Sequence, residues 1–456
     1  VAARGLGSLL VWEERTMKTK LMMTAAAGAI ATAGLPSIAT AEDLTLCWAA
    51  WDPANALIEL SKDFEQQSGH NMSFEFVPWT SFADRMLNEL NSGGQLCDLM
   101  IGDSQWIGGC AENGHYVKLN DFFDANNITM DDFIPATVTG YAEWPKNTPN
   151  YYALPAFGDV VGWTYRKDWF DRPELQAEFK GKHGRDLGVP SSLEELKDIA
   201  EFFQGRDIDG TTVYGAAIYT ERGSEGITMG VTNALYNYGF EYENPAKPYD
   251  IDGFVNSAGA VAGLEFYKEL YDNATPPGSS NWYMGENIDA YRSGQVAMQM
   301  NFAFIWPGVE ADDNVGSGRS GYFPNPAGPA GQFAQLGGQG ISVVAYSEKQ
   351  DAALEYIQWF SKPDVQAKWW ELGGYSALKA VVEDPGFATS QPYAQTFLDS
   401  MAIVKDFWAE PAYADLLIPM QERMHNFVIA GDGTAQEALD GLVSDWIEVF
   451  EDEGKL

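Results

Sequence analysis

An α/β fold with a mostly parallel sheet covered by helices is the class the sequence predicts, and three observations carry it. Strand-like and helix-like stretches alternate from Asp43 to Asp103. The alternation resumes at Val160. The chain has 456 residues, 45% hydrophobic and 20% charged, enough for the cores of at least two domains.

The elements follow in order. DLTLCWAAW, from Asp43 to Trp51, reads as a first strand, and ANALIELSKDFEQQSG as an amphipathic helix with Leu57, Leu60 and Phe64 on one face, stopped at Gly69. MSFEFVPW alternates like a strand. SFADRMLNELNSGG reads as a helix with Ser81 as its N-cap, and CDLMIGD as a short buried strand. In such a sheet the ligand site lies beyond the carboxyl ends of the strands, where Trp48 to Asn55, Trp79 and GDSQW (Gly102 to Trp106) fall.

Beyond Tyr151 the texture changes. Tyr152 to Pro155 is extended and Val160 to Tyr165 is a new apolar strand. SSLEELKDIAEFFQG reads as a capped helix, VYGAAIY as a strand, and DGFVNSAGAVAGLEFYKELYDN as a long helix before the break at Thr275 to Ser280. QVAMQMNFAFIWPG is a strand ending in aromatics, and Gly316 to Gly331 reads as loop. GGQGISVVAY returns to a strand, EKQDAALEYIQWFSKPDVQAKWWELGG to helices, and the chain from Ser376 onward is helical. No repeat of fixed period appears.

Met17 begins an export signal: Lys18 and Lys20, an apolar run, then Ala39-Thr40-Ala41. Residues 1–16 read as an over-extended start, and cleavage is expected after Ala41. Gly28, Gly34 and Pro36 interrupt the apolar run, and no other segment reaches the roughly 18 apolar residues of a membrane span. Without residues 1–41 the net charge moves from −37 to −39. A surface of that sign repels nucleic acid and anionic lipid, and serves either solubility in a salty habitat or attraction of a cationic ligand.

Among the three cysteines, Cys97 and Cys110 flank one strand and the next helix, so they are the expected disulfide, contributing about 3 kcal/mol by loop entropy. Cys47, in a buried strand, is then a free apolar thiol. Four scattered histidines show no metal-ligand spacing, and no metal or cofactor is expected. DIDG at Asp207 to Gly210 reads as a plain turn, because the remaining ligands of a calcium loop are absent.

The leader, the first strand and helix, SGGQLCDLMIGDSQWIGGCAENGHYVKLND, YYALPAFGDVVGWTYRKDWF, AYRSGQVAMQMNFAFIWPG and LGGQGISVVAYSEKQDAALEYIQWF follow one another along the whole mature chain. In that order and spacing, the sequence from Glu42 resembles the extracellular solute-binding proteins of the maltose-binding type, the periplasmic receptors of carbohydrate ABC importers. The resemblance implies a two-lobed periplasmic-binding-protein fold, type II-like, each lobe a mixed sheet flanked by helices. It puts the first lobe at residues 42–155 plus 338–375, the second at 156–337 plus 376–456, and hinge crossings near 154–158, 336–339 and 374–378. It further implies a monomer that closes on a small solute and passes it to the permease subunits of an ABC transporter.

Carried over residue by residue, the resemblance assigns the cleft to Trp48, Trp51, Asp52, Trp79, Asp103, Ser104, Trp106, Phe157 and Asp159 on the near side. The far side supplies Asn301, Phe304 and Trp306, backbone amides at Gly337 and Gly338, and the aromatic walls Tyr375 and Tyr413. A sugar presents an apolar face and a rim of hydroxyls, so tryptophan beside aspartate is the pairing its site needs. For Trp359, Trp369, Trp370 and Trp446, at helical spacing, burial in the core is the better reading. Asp52 either caps a helix or accepts from a hydroxyl, and Trp48 stays open between core and cleft.

No run reproduces the maltose protein's own site, so the ligand need not be maltose, and no lipid-attachment cysteine follows Ala41. A second reading is a receptor for a quaternary ammonium solute or polyamine, held by aromatics and carboxylates. A third, a secreted carbohydrate-active enzyme, has no nucleophile elbow, metal cluster, phosphate loop or histidine constellation behind it.

Overall fold

In the computed structural model, which describes residues 41–456, the first strand is buried on both faces: Leu44, Leu46, Cys47 and Trp48 are all fully covered. The export leader expected over residues 1–41 lies, but for Ala41, outside the described residues. A strand so covered belongs inside a sheet. That strand, β1 (Asp43–Ala49), runs parallel to both β2 (Asn71–Val77) and β3 (Leu99–Asp103). The helices between them supply the cover. The helix Asp52–Ser68 buries Leu57, Leu60 and Phe64, with Phe64 5.0 Å from Tyr356 and 5.4 Å from Trp359, and ends at Gly69 with φ +81°. The next helix starts at Trp79, two residues ahead of the expected cap Ser81, because Trp79 extends the buried Phe82–Met86–Leu90 stripe by one turn.

The remaining strands are β4 (Leu154–Arg166), β5 (Arg206–Ile208), β6 (Thr211–Ala217), β7 (Val296–Phe302), β8 (Ser320–Pro324), β9 (Ala334–Val343) and β10 (Val404–Lys405). Their order is β2-β1-β3-β9-β4-β7-β6-β5, with β8 on β4 and β10 on β9. The sheet is mixed rather than mostly parallel: β9 is antiparallel to β3 and β4, and β4 is antiparallel to β7 and β8. Local alternation shows the elements but not the direction in which a distant strand returns. β8 lies within the stretch that reads as loop, and the long helix begins at Ala258, where Ser257 caps it, rather than at Asp252. Asp207 to Gly210 turns the β5–β6 hairpin, with the Gly210 N–H donating to Asp207.

Two long strands join the halves. β4 pairs with β9 from Leu154↔Ile341 to Val160↔Leu336; on its other edge β9 pairs with β3 from Gln339 to Val343, and beyond Val160 β4 continues along β7. The register shifts between Pro155 and Phe157, and the Gly158 N–H donates to the Tyr375 carbonyl at 2.8 Å. Opposite Gly158, Gly338 has φ +95°, and a Cβ there would stand 2.0 Å from the Phe157 carbonyl oxygen, so only glycine fits.

The disulfide expectation is corrected. Cys47 and Cys97 are bonded, with Cα atoms 5.7 Å apart, and Cys110 is the free, buried thiol, pushed up to about 12 by burial. Cys97 lies in the segment that leads into β3, the parallel neighbour of β1, and there it meets Cys47, a pairing across the fold that spacing along the chain does not reveal. Among the described residues no helix is long and apolar enough to cross a membrane.

Candidate functional site

The segments that follow β1, β2 and β3, the paired stretch of β4 and β9 and the end of β7 line one cleft between the halves. Trp51, N-cap of the helix after β1, uses its backbone carbonyl to hold the first turn, which leaves its ring free to face outward. That ring stacks on Trp79 (5.6 Å between centroids, 22° between planes) and leans on Phe157 at 5.3 Å and Phe304 at 5.0 Å. Its Nε1 is buried without a hydrogen-bond partner. Trp79 donates from Nε1 to Tyr283 Oη across the cleft at 3.0 Å.

At the end of β3, Asp103 caps the following turn, accepting from Ser104 N–H at 2.7 Å, and is 8% exposed. Burial first, then repulsion from Asp406, pushes its carboxyl up to about 7. Ser104 donates to Asp406 at 3.0 Å, and Gln105 donates to Glu225 at 2.7 Å. Glu225, at φ +70° before the helix Gly226–Leu235, is pushed up to about 8 by loss of solvent and by Asp103. Asp406 is raised by burial and eased by Lys146, 3.8 Å away. Asp159, on β4, is 2% exposed; burial raises it despite hydrogen bonds from the Val160 and Phe304 amides.

Two adjoining spaces result. A cleft of about 370 Å³ is lined by Trp79, Phe82, Asp103, Trp106, Glu225 and Tyr413, among others, and lies in the size range of small-molecule sites. Deeper in, about 20 Å³ remains among Trp51, Asp103, Asp159, Phe302, Gly337, Gly338 and Phe407. A space that small admits about one water.

Of the expected residues, Trp51, Trp79, Asp103, Trp106, Asp159, Gly337, Gly338 and Tyr413 thus come together around these spaces. Others stand behind them. Trp48 is fully buried, hydrogen-bonded to Gln339 and edge-on to Trp51 at 5.3 Å, so it braces that ring from below. Ser104 anchors Asp406, Phe157 is fully buried beneath Trp51, and Phe304 closes the same aromatic cluster. Asn301 is occupied by Tyr219 Oη at 2.6 Å and the Phe302 amide at 2.9 Å. Trp306 sits in the far core against Tyr322 at 5.3 Å, and Tyr375 lies under the crossing, donating to the Ala303 carbonyl. Asp52 is exposed at the first position of its helix. Trp359, Trp369, Trp370 and Trp446 are all buried.

Sequence reasoning missed Gln105, Glu225, Tyr283, Gln339, Phe407 and Asp406. Glu225 follows ERGS in a turn with no periodic signal, and Asp406 enters only through the short pairing of β10 with β9. Nothing in the local pattern marks either one.

Comparison with known proteins puts this geometry in company. The sequence profile of the family described as bacterial extracellular solute-binding protein matches residues 50–367. A probable amino-acid ABC transporter periplasmic-binding protein of Sinorhizobium fredii is 22% identical over 374 residues, 79% of this chain and 78% of that one. Maltose-bound MalE3 of T. maritima superposes with a TM-score of 0.76 at 21% identity, covering 90% of this chain and all of the other. An ABC transporter solute-binding protein of Agrobacterium radiobacter K84 in complex with ribitol gives 0.74 at 21%, covering 90% and 98%. The shared architecture is a two-lobed fold.

Proposed function

Because the chain belongs to the bacterial extracellular solute-binding proteins, we propose that it closes its two lobes on a carbohydrate or polyol in this cleft and delivers it to an ABC permease. The observation that carries the ligand class is the stacked pair Trp51 and Trp79, a flat apolar wall beside hydrogen-bonding groups from both sides of the cleft. In the larger space a pyranose or extended polyol lays its C–H face on the Trp79 end of this wall and turns its hydroxyls toward Asp103, Gln105 and Glu225. Maltose bound to one of the similar structures and ribitol bound to the other support this class.

In this reading the lobes are residues 42–155 with 338–375 and 156–337 with 376–456, and the crossings at 154–158, 336–339 and 374–378 are the hinges. A ligand shifts such an equilibrium only through contacts it makes better in the closed form. Cross-cleft bonds such as Trp79 to Tyr283 and Gln105 to Glu225 hold the closed form together and need no catalysis. The mature chain acts as a monomer in the periplasm, which the signal at Met17 to Ala41 supports.

A thermal-shift screen of the mature protein against mono- to trisaccharides and polyols tests the proposal. A cognate ligand at about 100 times its Kd adds about 2.7 kcal/mol of stability and a clear rise in Tm. A flat response to the whole panel, with titration calorimetry equally silent, refutes it.

A further inference from the structure

The cleft carries only one sign of charge. Asp84, Asp103, Asp159, Glu225 and Asp415 line the two spaces, and among the described residues no lysine, arginine or histidine does. The charges acting on Asp103 and Glu225 are negative: Asp406 on Asp103, and Asp103 on Glu225. Lys146 is paired with Asp406, and its partner carboxylate is held on the other side by Ser104. Asp103 comes from the end of β3, whereas Glu225 opens a helix of the far half, so drawing the halves together drives two carboxylates toward one another. A neutral polyol leaves that repulsion in place; a positive charge between them removes it.

A second, independent observation marks the same spot. Tyr413, only 5% exposed, lines the cleft with its hydroxyl oxygen unpartnered, in the field of Glu225, Asp103 and Asp406. A buried phenol without a partner is costly, about 1–3 kcal/mol, and a ligand heteroatom would satisfy it. Around it Trp79, Trp106 and Phe82 supply ring faces, the surroundings that favour a cationic nitrogen.

We propose that the solute carries a cationic nitrogen, seated between Asp103 and Glu225 beside the Tyr413 hydroxyl, with the rest of the molecule laid against Trp79, which Trp51 backs. This rests on the solute-receptor reading and narrows its ligand to an amine-bearing one. An amino sugar or aminated polyol satisfies wall and carboxylates together. A betaine or a diamine shares the charge without the ring of hydroxyls, so the experiment separates these sources.

The test is titration calorimetry of the mature protein with matched pairs: glucosamine against glucose, galactosamine against galactose, and glucamine against sorbitol, with glycine betaine, choline and putrescine as further arms. The cationic member of at least one pair is expected to bind at least about tenfold tighter than its neutral partner. Glu225→Gln should remove about tenfold of that preference, and Asp103→Asn and Tyr413→Phe should act in the same direction, with circular dichroism confirming the fold of each. Should only betaine, choline or putrescine bind, the cation stands and the carbohydrate class falls. Equal or tighter binding of the neutral partner in every pair overturns the cation and leaves the sugar receptor intact. Silence from every compound overturns both.

Discussion

Trp51 and Trp48, three residues apart, end in opposite circumstances. Trp48 is inside β1, fully covered and tied to Gln339, whereas Trp51 has left the strand and presents its ring to Trp79. Replacing Trp51 with Ala removes a stacking face but no cap, since the backbone and not the side chain holds the helix start. The expected outcome is a loss of about tenfold to a hundredfold in ligand affinity by calorimetry, with the fold retained by circular dichroism. Trp306→Ala is expected to do the reverse, costing about 3–5 kcal/mol of stability, because that ring fills the far core. From sequence both look alike, aromatic residues at strand ends. β1 is buried on both faces, so alternation gives no clue to which tryptophan faces the cleft. Asp103, at the end of a short apolar strand, was legible; Glu225, in a turn without pattern, was not.

At the scale of elements, the β-α-β-α-β opening could be read off the periodicity because each helix and strand buries its own face. The disulfide could not, because it depends on which strands become neighbours. Cys47 and Cys97 are 50 residues apart, and a cross-link closing a loop of that length restricts the unfolded chain by about 4 kcal/mol in the entropy model. The paired change Cys47→Ser and Cys97→Ser should therefore lower stability by about 2–4 kcal/mol in urea unfolding, whereas Cys110→Ser alone leaves the disulfide and its contribution in place. The β4–β8 pairing escaped notice for the same reason as the disulfide. A short run with glycine and proline on its flanks becomes a strand only when β4 offers it an edge.

Over the whole molecule, the acidic excess of the sequence reaches its sharpest form where the halves meet. Asp103 and Glu225 hold protons up to about 7 and about 8, against ordinary values of 3.8 and 4.5. Between those limits the folded chain binds protons that the unfolded chain has released, so stability falls as pH rises through that window. His115 and His425, lowered by burial, act in the opposite sense, but only below their ordinary value of 6.5. The urea midpoint should accordingly drop between about pH 6.5, above the histidine range, and about pH 8, where Glu225 has lost its proton, and Glu225→Gln should flatten that slope. A slope identical in wild type and variant would free Glu225 of this role. The two-lobed plan itself was legible through the order and spacing of several loose stretches, each weak alone.

The pairing of β4 with β9 also bears on the proposed hinge. Both strands run through one place, hydrogen-bonded to each other, and the Gly158 amide donates to the Tyr375 carbonyl beside them. A ribbon built in this way resists stretching and sideways shear, since either would break several backbone hydrogen bonds at once. Twisting and bending about its own line are the soft coordinates left. On the proposed hinge reading the molecule would have close to a single degree of freedom, a door on one axle, and a permease touching both halves would gauge how far it has swung from the distance between two points on its rim.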